Sequence, residues 1–167
     1  MRRRSRSPSP NLGLVNAPTL EDSVHIDAPA ETVWALVSDV CRMPEWSPQV
    51  DSTRLRSGFD EVALGAQFTN RNSIGELVWT THAEVVRFEP GREIAFRVEE
   101  NWVIWSFTVT PDGTGTVLTQ RRDAPDGISD LSLELTNGFM GGVEVFTESM
   151  RDGMRETLTK IKDQAEA

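Results

Sequence analysis

The stretch EIAFRVEENWVIWSFTVT, residues 93–110, alternates between apolar and polar residues over most of its length. Alternation with a period of two is typical of strands with one buried face, because successive side chains point to opposite sides of a strand. We predict two strands here, over 92–100 and 102–110. They share an apolar face that is rich in large rings: Ile94, Phe96, Val98, Val103, Trp105, Phe107 and Val109. Such a face needs another element to cover it.

The same period of two extends to both sides of this stretch. It predicts further strands at 20–27, 49–57, 66–73, 77–88 and 115–122. Turn sequences separate neighbouring strands at Gly75, at 89–92 and at 111–113, and short turns of this kind join antiparallel strands. The pattern therefore predicts an antiparallel sheet of about seven strands.

A helical pattern near the C-terminus supplies the cover for the sheet. Apolar residues recur there at steps of three and four, with charged residues between them: Val143, Phe146, Met150, Met154, Leu158 and Ile161. Two short helices are predicted after the first strand, one beginning at Pro29 and one confined by Pro44 and Pro48. The expected architecture is α+β, with a curved sheet wrapped around a long C-terminal helix.

The first 18 residues differ in composition from the rest of the chain. They are rich in Arg, Ser and Pro and poor in apolar residues, so we expect residues 1–18 to form a disordered basic arm. Residues 19–167 are expected to form a single ligand-binding domain, since a chain of this length has one domain as its prior.

Charge and cysteine content limit the classes of partner and compartment. The net charge is −9, and four of the 17 Lys and Arg residues lie in the basic arm, so the remainder is strongly acidic and repels nucleic acid. The one cysteine cannot form an internal disulfide, and no apolar run approaches the roughly 18 residues of a membrane span. We therefore expect a cytoplasmic protein without a membrane span.

The order of the predicted elements resembles the helix-grip fold of the START-domain and polyketide cyclase/dehydrase superfamily, the SRPBCC group. The likeness covers residues 20–164. It is carried by IDAPAETVW at 26–34, SDV at 38–40, PEWSP at 44–48, GA at 65–66, Trp79, FEPG at 88–91 and GTVLT at 115–119. The resemblance implies an elongated cavity between the sheet and the final helix, which accepts apolar or aromatic ligands. Members of this superfamily range from lipid and hormone carriers to cyclases.

The inward rings and the helix stripe supply the candidate ligand-binding residues. The sheet would contribute Phe68, Trp79, Phe96, Trp105 and Phe107, and the helix side Phe139, Met140, Val143, Phe146 and Met150. The alternative is that these side chains form an ordinary packed core, because burial of an aromatic ring stabilises the fold in either case.

Polar candidates on the inward face are few. Asn70 and Asn72 share the parity of Phe68, whereas the run 120–122 is ambiguous because Val117 and Leu118 are both apolar. Either Thr119 and Arg121 or Gln120 and Arg122 point inward, and Asn70 and Arg121 are the candidate catalytic residues. Glu100, at the inward parity of its strand, is the candidate partner of an inward arginine.

The two histidines offer little to a metal or a cofactor. Alternation places both His25 and His82 on outward positions, and they lie far apart in the sequence from each other and from Cys41. The sequence therefore predicts no metal-ligand cluster and no cofactor.

Three functional hypotheses follow. The first is a non-catalytic carrier or sensor of a small hydrophobic or aromatic metabolite, lipid-like or polyketide-like. The second is a cyclase or dehydratase acting on a poly-β-keto chain in the same cavity, although the lack of any tyrosine departs from the pattern of that family's enzymes. The third is an interaction protein, such as a homodimer, motivated by the outward-facing Trp102 and Ile104.

Overall fold

The computed structural model describes residues 19–127 and 143–167, and in the second range the side chains of residues 143, 144 and 146 lie outside the description. Seven strands are found within these residues: β1 (Leu20–Ile26), β2 (Val50–Leu55), β3 (Gln67–Ile74), β4 (Leu77–Glu89), β5 (Glu93–Val98), β6 (Ile104–Asp112) and β7 (Gly115–Asp123). The helices are α1 (Ala30–Val37), a 3₁₀ helix (Val40–Glu45) and α2 (Val143–Glu166).

The strands form one antiparallel sheet in the order β1-β7-β6-β5-β4-β3-β2. Strands β2 to β7 are neighbours in sequence order, as expected of a meander joined by short turns, and β1 closes onto β7. The predicted α+β architecture, with a curved open sheet, two short helices and a long C-terminal helix, is confirmed.

The turn after β5 is longer than the alternation pattern predicts. β5 ends at Val98 and β6 begins at Ile104, because the backbone folds back between them: the Trp102 amide donates to the Val98 carbonyl at 2.8 Å. Trp102 has a positive φ of 66°, a conformation that is uncommon for a bulky residue. Glu100 and Trp102 thus lie in this turn and not on strands.

The short helices begin where the local sequence can satisfy free backbone amides. α1 begins at Ala30, one residue later than predicted, and Pro29 is the residue that precedes it. The Pro29 carbonyl accepts hydrogen bonds from the amides of Thr32 and Val33. The Asp39 carboxylate accepts from the Cys41 amide at 3.2 Å and caps the 3₁₀ helix. These two helices lie against the sheet, where the 3₁₀ helix contacts β2.

α2 packs mainly on β1 and α1, with a smaller contact to β7. Its buried side chains join two separate apolar clusters. Leu158 and Ile161 belong to the main core, whereas Met150 and Met154 pack with Leu20 of β1 in a smaller cluster. Trp105 of β6 packs against both clusters, so the inward side chains near it lie where the two clusters meet.

The described helices do not combine the length and the apolar character that crossing a membrane requires. The cytoplasmic location stays a prediction. Trp102 is 38% exposed in its turn and Ile104 is half-buried at the start of β6, and the homodimer that they suggested also stays a prediction.

Candidate ligand-binding face

The inward side of the sheet, here called the concave face, includes Gln120 and Arg122 of β7. Arg122 lies opposite Leu20 of β1 and Trp105 of β6, and Gln120 lies opposite Phe107. Gln120 and Arg122 are each only 7% exposed. The parity that the sequence left open is therefore settled by pairing with strands that are distant in sequence.

The alternative in which Arg121 points inward, which made it a candidate catalytic residue, is wrong. Its side chain lies on the outer face of the sheet, where it forms ion pairs with Asp123 at 2.8 Å and Glu21 at 3.3 Å. These hydrogen bonds raise the pKa of the Arg121 guanidinium, those with Asp123 most. Arg121 therefore has no access to the concave face.

Arg122 is a buried cation. Its guanidinium carbon lies 5.8 Å from the centroid of the Trp105 ring, within the range of a cation–π contact. Loss of hydration on burial lowers its pKa to about 10. Within residues 19–127 and 143–167, its guanidinium forms no hydrogen bond and no ion pair.

The acid beside Arg122 on the inward face of β1 is already engaged. Asp22 of β1 lies opposite Gln120, one inward position away from Arg122. Its carboxylate pairs with Arg155 of α2, with Arg155 Nε 3.0 Å from Asp22 Oδ2. This ion pair ties the helix to the edge of the sheet.

Gln120 has a buried polar atom that lacks a hydrogen bond within the described residues. Its Oε1 atom is buried and accepts no hydrogen bond within the described part of the chain. A buried polar atom without a partner loses its hydration and gains nothing in return. We call Gln120 and Arg122 the arginine patch.

A second polar group on the concave face, which we call the amide patch, comprises Thr53, Asn70, Asn72 and Thr81 of β2, β3 and β4. Asn70 Oδ1 accepts from the Thr53 hydroxyl at 2.6 Å, and Asn70 Nδ2 lies 3.5 Å from the Met43 sulfur. Asn72 Nδ2 donates to the Thr81 hydroxyl at 3.0 Å. Asn70, the other candidate catalytic residue, thus lies on the predicted face with its amide engaged by protein groups.

Apolar side chains surround the two patches. Phe68 and Phe96 meet edge to face at 5.3 Å and lie in the main core with Phe107. Trp105 is half-buried beside Arg122, and Met150 lies in the smaller cluster with Leu20. Trp79 is half-buried opposite Asn72, on the same face.

Four candidates from the helix side cannot be placed. Phe139 and Met140 lie outside the described residues. Val143 and Phe146 belong to the first turn of α2, but their side chains lie outside the description. The ligand-binding role of the whole candidate set stays a prediction.

His82, Glu99 and Glu100 come together on the outer side of the sheet, which the sequence analysis did not foresee. Their potential metal-binding atoms lie within 4.8 Å of one another. His82 Nδ1 lies 2.5 Å from a Glu100 oxygen, the Glu100 carboxylate also accepts from the His82 amide, and Glu99 pairs with Arg56 at 3.5 Å. The alternation pattern did not indicate this cluster, because Glu99 and Glu100 reach His82 from the turn after β5 and not from a strand.

Two surface concavities lie away from the concave face. One, of about 430 Å³, is on the outer face and is lined by charged residues that include Glu21, Arg87 and Arg121. The other, of about 410 Å³, lies between the 3₁₀ helix and residues 55–62. The elongated cavity that the resemblance implies between sheet and helix stays a prediction.

Comparison with known proteins identifies the family. The family described as polyketide cyclase/dehydrase and lipid transport matches residues 17–166. No curated protein matches the chain significantly.

Solved structures agree with this match. A polyketide cyclase-like protein from Corynebacterium glutamicum is 32% identical, with a TM-score of 0.61 over 86% of this chain and 88% of that one. A di-domain ARO/CYC protein of the steffimycin pathway is 16% identical, with a TM-score of 0.70 over 89% of this chain and 50% of that one, which supports the fold alone. The chain belongs to the polyketide cyclase/dehydrase and lipid transport family.

Proposed function

We propose that the concave face binds a small hydrophobic or aromatic metabolite and that the protein acts as its carrier or sensor. The observation that carries this proposal is the arginine patch. Within the described residues, the buried Arg122 cation contacts the Trp105 ring but forms no hydrogen bond or ion pair, and the buried Gln120 oxygen has no donor. A fold gains nothing from such groups in its free state, because burying an unpaired charge costs several kcal/mol. They become favourable when a ligand supplies the missing partners.

The family supports the same reading. Its description joins lipid transport with cyclase and dehydrase chemistry, and both roles require an apolar chain or ring to be held by the protein. The rings of Phe96, Trp105 and Phe107 on the concave face provide a suitable surface.

Thermal unfolding in the presence of a compound panel tests this proposal. The panel contains medium-chain fatty acids, their amides, naphthalene derivatives and polycyclic phenols. We expect at least one class to raise the melting temperature in a dose-dependent manner. We expect Trp105→Ala to weaken that stabilisation, whereas Leu64→Ala, at an exposed site, leaves it unchanged. Failure of every class to stabilise the protein would contradict the proposal.

An enzyme acting on a poly-β-keto chain is the second candidate. Arg122 favours it, since a buried guanidinium can polarise a ketone oxygen and stabilise the enolate that forms in aldol closure. Asn70 contributes less to this mechanism than the sequence suggested, because its amide is already bound to Thr53 and Met43. Incubation with a poly-β-keto thioester analogue separates the two candidates: faster cyclisation that Arg122→Met abolishes would establish the enzyme, and unchanged cyclisation would leave the carrier.

A further inference from the structure

Resting on the proposed function, we infer that the ligand is a carboxylic acid whose carboxylate is bound by Arg122 and whose apolar body lies against Trp105 and the neighbouring rings of the concave face. The carboxylate supplies the partner that the guanidinium lacks among the described residues. The protein would then recognise an apolar acid and reject its neutral analogues.

The charges around Arg122 favour an anion. Its neighbours in the strand register, Leu20 and Trp105, are uncharged, and the adjacent α2 side chains Met150 and Met154 are apolar. On the inward side of this edge, Asp22 is paired with Arg155 of α2, whereas Glu21, Arg121 and Asp123 lie on the outer face. Although the whole chain carries a net charge of −9, the described surroundings of Arg122 therefore hold one uncompensated positive charge.

That positive charge persists at the pH of an ordinary binding experiment. Burial lowers the pKa of Arg122, but only to about 10, so the guanidinium is protonated at pH 8. Its planar fork can donate two parallel hydrogen bonds to one carboxylate. Arginine is therefore suited to a carboxylate in geometry as well as in charge.

A single cation fits a monoanion better than a phosphate. A phosphate monoester carries a charge of about −1.5 to −2 at neutral pH, and two or more positive groups usually neutralise it. Arg122 is the only unpaired cation identified on the described part of the concave face. The polar neighbour on the same strand face, Gln120, offers a carbonyl oxygen that would accept from a hydroxyl on the body of the ligand.

The rings beside Arg122 indicate where the apolar body of the ligand would lie. Trp105 lies between the two apolar clusters and touches Arg122, so a chain or ring attached to the carboxylate would pass over this indole. Phe96 lies opposite Trp105 on β5 and extends the apolar surface in the same direction. Fatty acids and aromatic acids both match this arrangement.

The test compares each acid with its amide, which has nearly the same shape and no charge. Titration calorimetry at pH 8 with 2-naphthoate and 2-naphthamide, and with decanoate and decanamide, gives the preference for charge directly. We expect the wild-type protein to bind each acid about ten- to one-hundredfold more tightly than its amide, as expected for a hydrogen-bonded charge pair.

The variants assign that preference to one residue. Arg122→Met should remove it, whereas Arg121→Met should keep it, because Arg121 is the adjacent arginine on the outer face. Arg122→Lys, which keeps the charge, should retain part of the preference and serves if Arg122→Met does not fold. Equal binding of acid and amide by the wild-type protein, or a preference that survives Arg122→Met, would overturn the inference and leave the proposed function intact. Failure of both acids and both amides, together with the whole panel, would overturn both.

Discussion

The amide patch and the arginine patch lie on the same concave face but differ in how their polar atoms are satisfied. In the amide patch, Asn70 and Thr53 bind each other and Asn72 binds Thr81. In the arginine patch, within the described residues, Gln120 Oε1 accepts no hydrogen bond, and the Arg122 guanidinium contacts the Trp105 ring but forms no hydrogen bond or ion pair. Polarity on an inward face therefore does not by itself indicate a binding site, and the state of each donor and acceptor must be known.

The largest expected effect tests whether the amide patch is structural. Asn70→Leu has a similar shape but leaves the buried Thr53 hydroxyl without its acceptor, so we expect the free energy of unfolding to fall by about 2–3 kcal/mol. Urea unfolding measures this change. The matched variant Gln120→Leu removes an oxygen that has no donor, and its stability should stay within about 0.5 kcal/mol of the wild-type value or exceed it. Equal losses in the two variants would erase the distinction between the patches.

The next effect has the opposite sign. Arg122→Met replaces a buried cation with an apolar side chain of similar length, and we expect it to stabilise the ligand-free protein by about 2 kcal/mol. The same substitution should weaken binding of carboxylic acids. A variant that gains stability while losing binding is typical of a functional group that strains the free fold. A marked loss of stability in Arg122→Met would instead indicate that the guanidinium has a structural role.

The pH dependence of stability sharpens this point. Burial lowers the pKa of Arg122 to about 10 in the folded protein, below its value in the unfolded chain, so between the two values the unfolded chain binds more protons than the folded one. The contribution of Arg122 to stability therefore begins to rise about one pH unit below the folded pKa and increases with pH, whereas at lower pH the penalty for burying the charge is constant. The stability difference between Arg122→Met and wild type should narrow by about 1 kcal/mol between pH 8 and pH 10.5.

Parallel urea unfolding of both proteins at the two pH values measures this narrowing. The chain contains no tyrosine, so no phenol group titrates between pH 8 and pH 10.5 and adds to the measured change. A difference that stays constant up to pH 10.5 would mean that burial does not depress the pKa of Arg122.

The smallest effect concerns the outer face. Arg121→Met removes exposed ion pairs to Asp123 and Glu21, which contribute little because water screens them. We expect a loss of about 0.5 kcal/mol or less, which 0.5 M salt reduces further. If Arg121→Met lost as much stability as Asn70→Leu, the difference in burial between Arg121 and Arg122 would not explain how the two arginines contribute to stability.

Much of the fold could be predicted from local sequence patterns. Alternation in 93–110 and the spacing of Met150, Met154 and Leu158 depend on geometry that each element repeats every two residues or every turn, so they can be read without tertiary information. The turn after β5 was predicted less well. Val98 and Val103 fit two alternating strands, and the hydrogen bonds that reverse the chain between them involve backbone groups that the side-chain pattern does not register.

The candidate site was less predictable because its features depend on contacts between distant residues. Adjacent Val117 and Leu118 concealed the parity of β7, and only the pairing with β1 and β6 shows that Arg122, and not Arg121, faces inward. The sequence correctly placed Asn70 on that face. It could not show that Thr53, 17 positions away, binds the same amide.

The contact between Trp105 and Arg122 also makes the protein its own optical probe. Indole emission depends on nearby charge, and Trp105 is the tryptophan whose ring lies 5.8 Å from this guanidinium. Although the chain has five tryptophans, subtracting the emission spectrum of Trp105→Phe would isolate the signal of this one ring. Occupation of the arginine patch could then be followed in solution without any label.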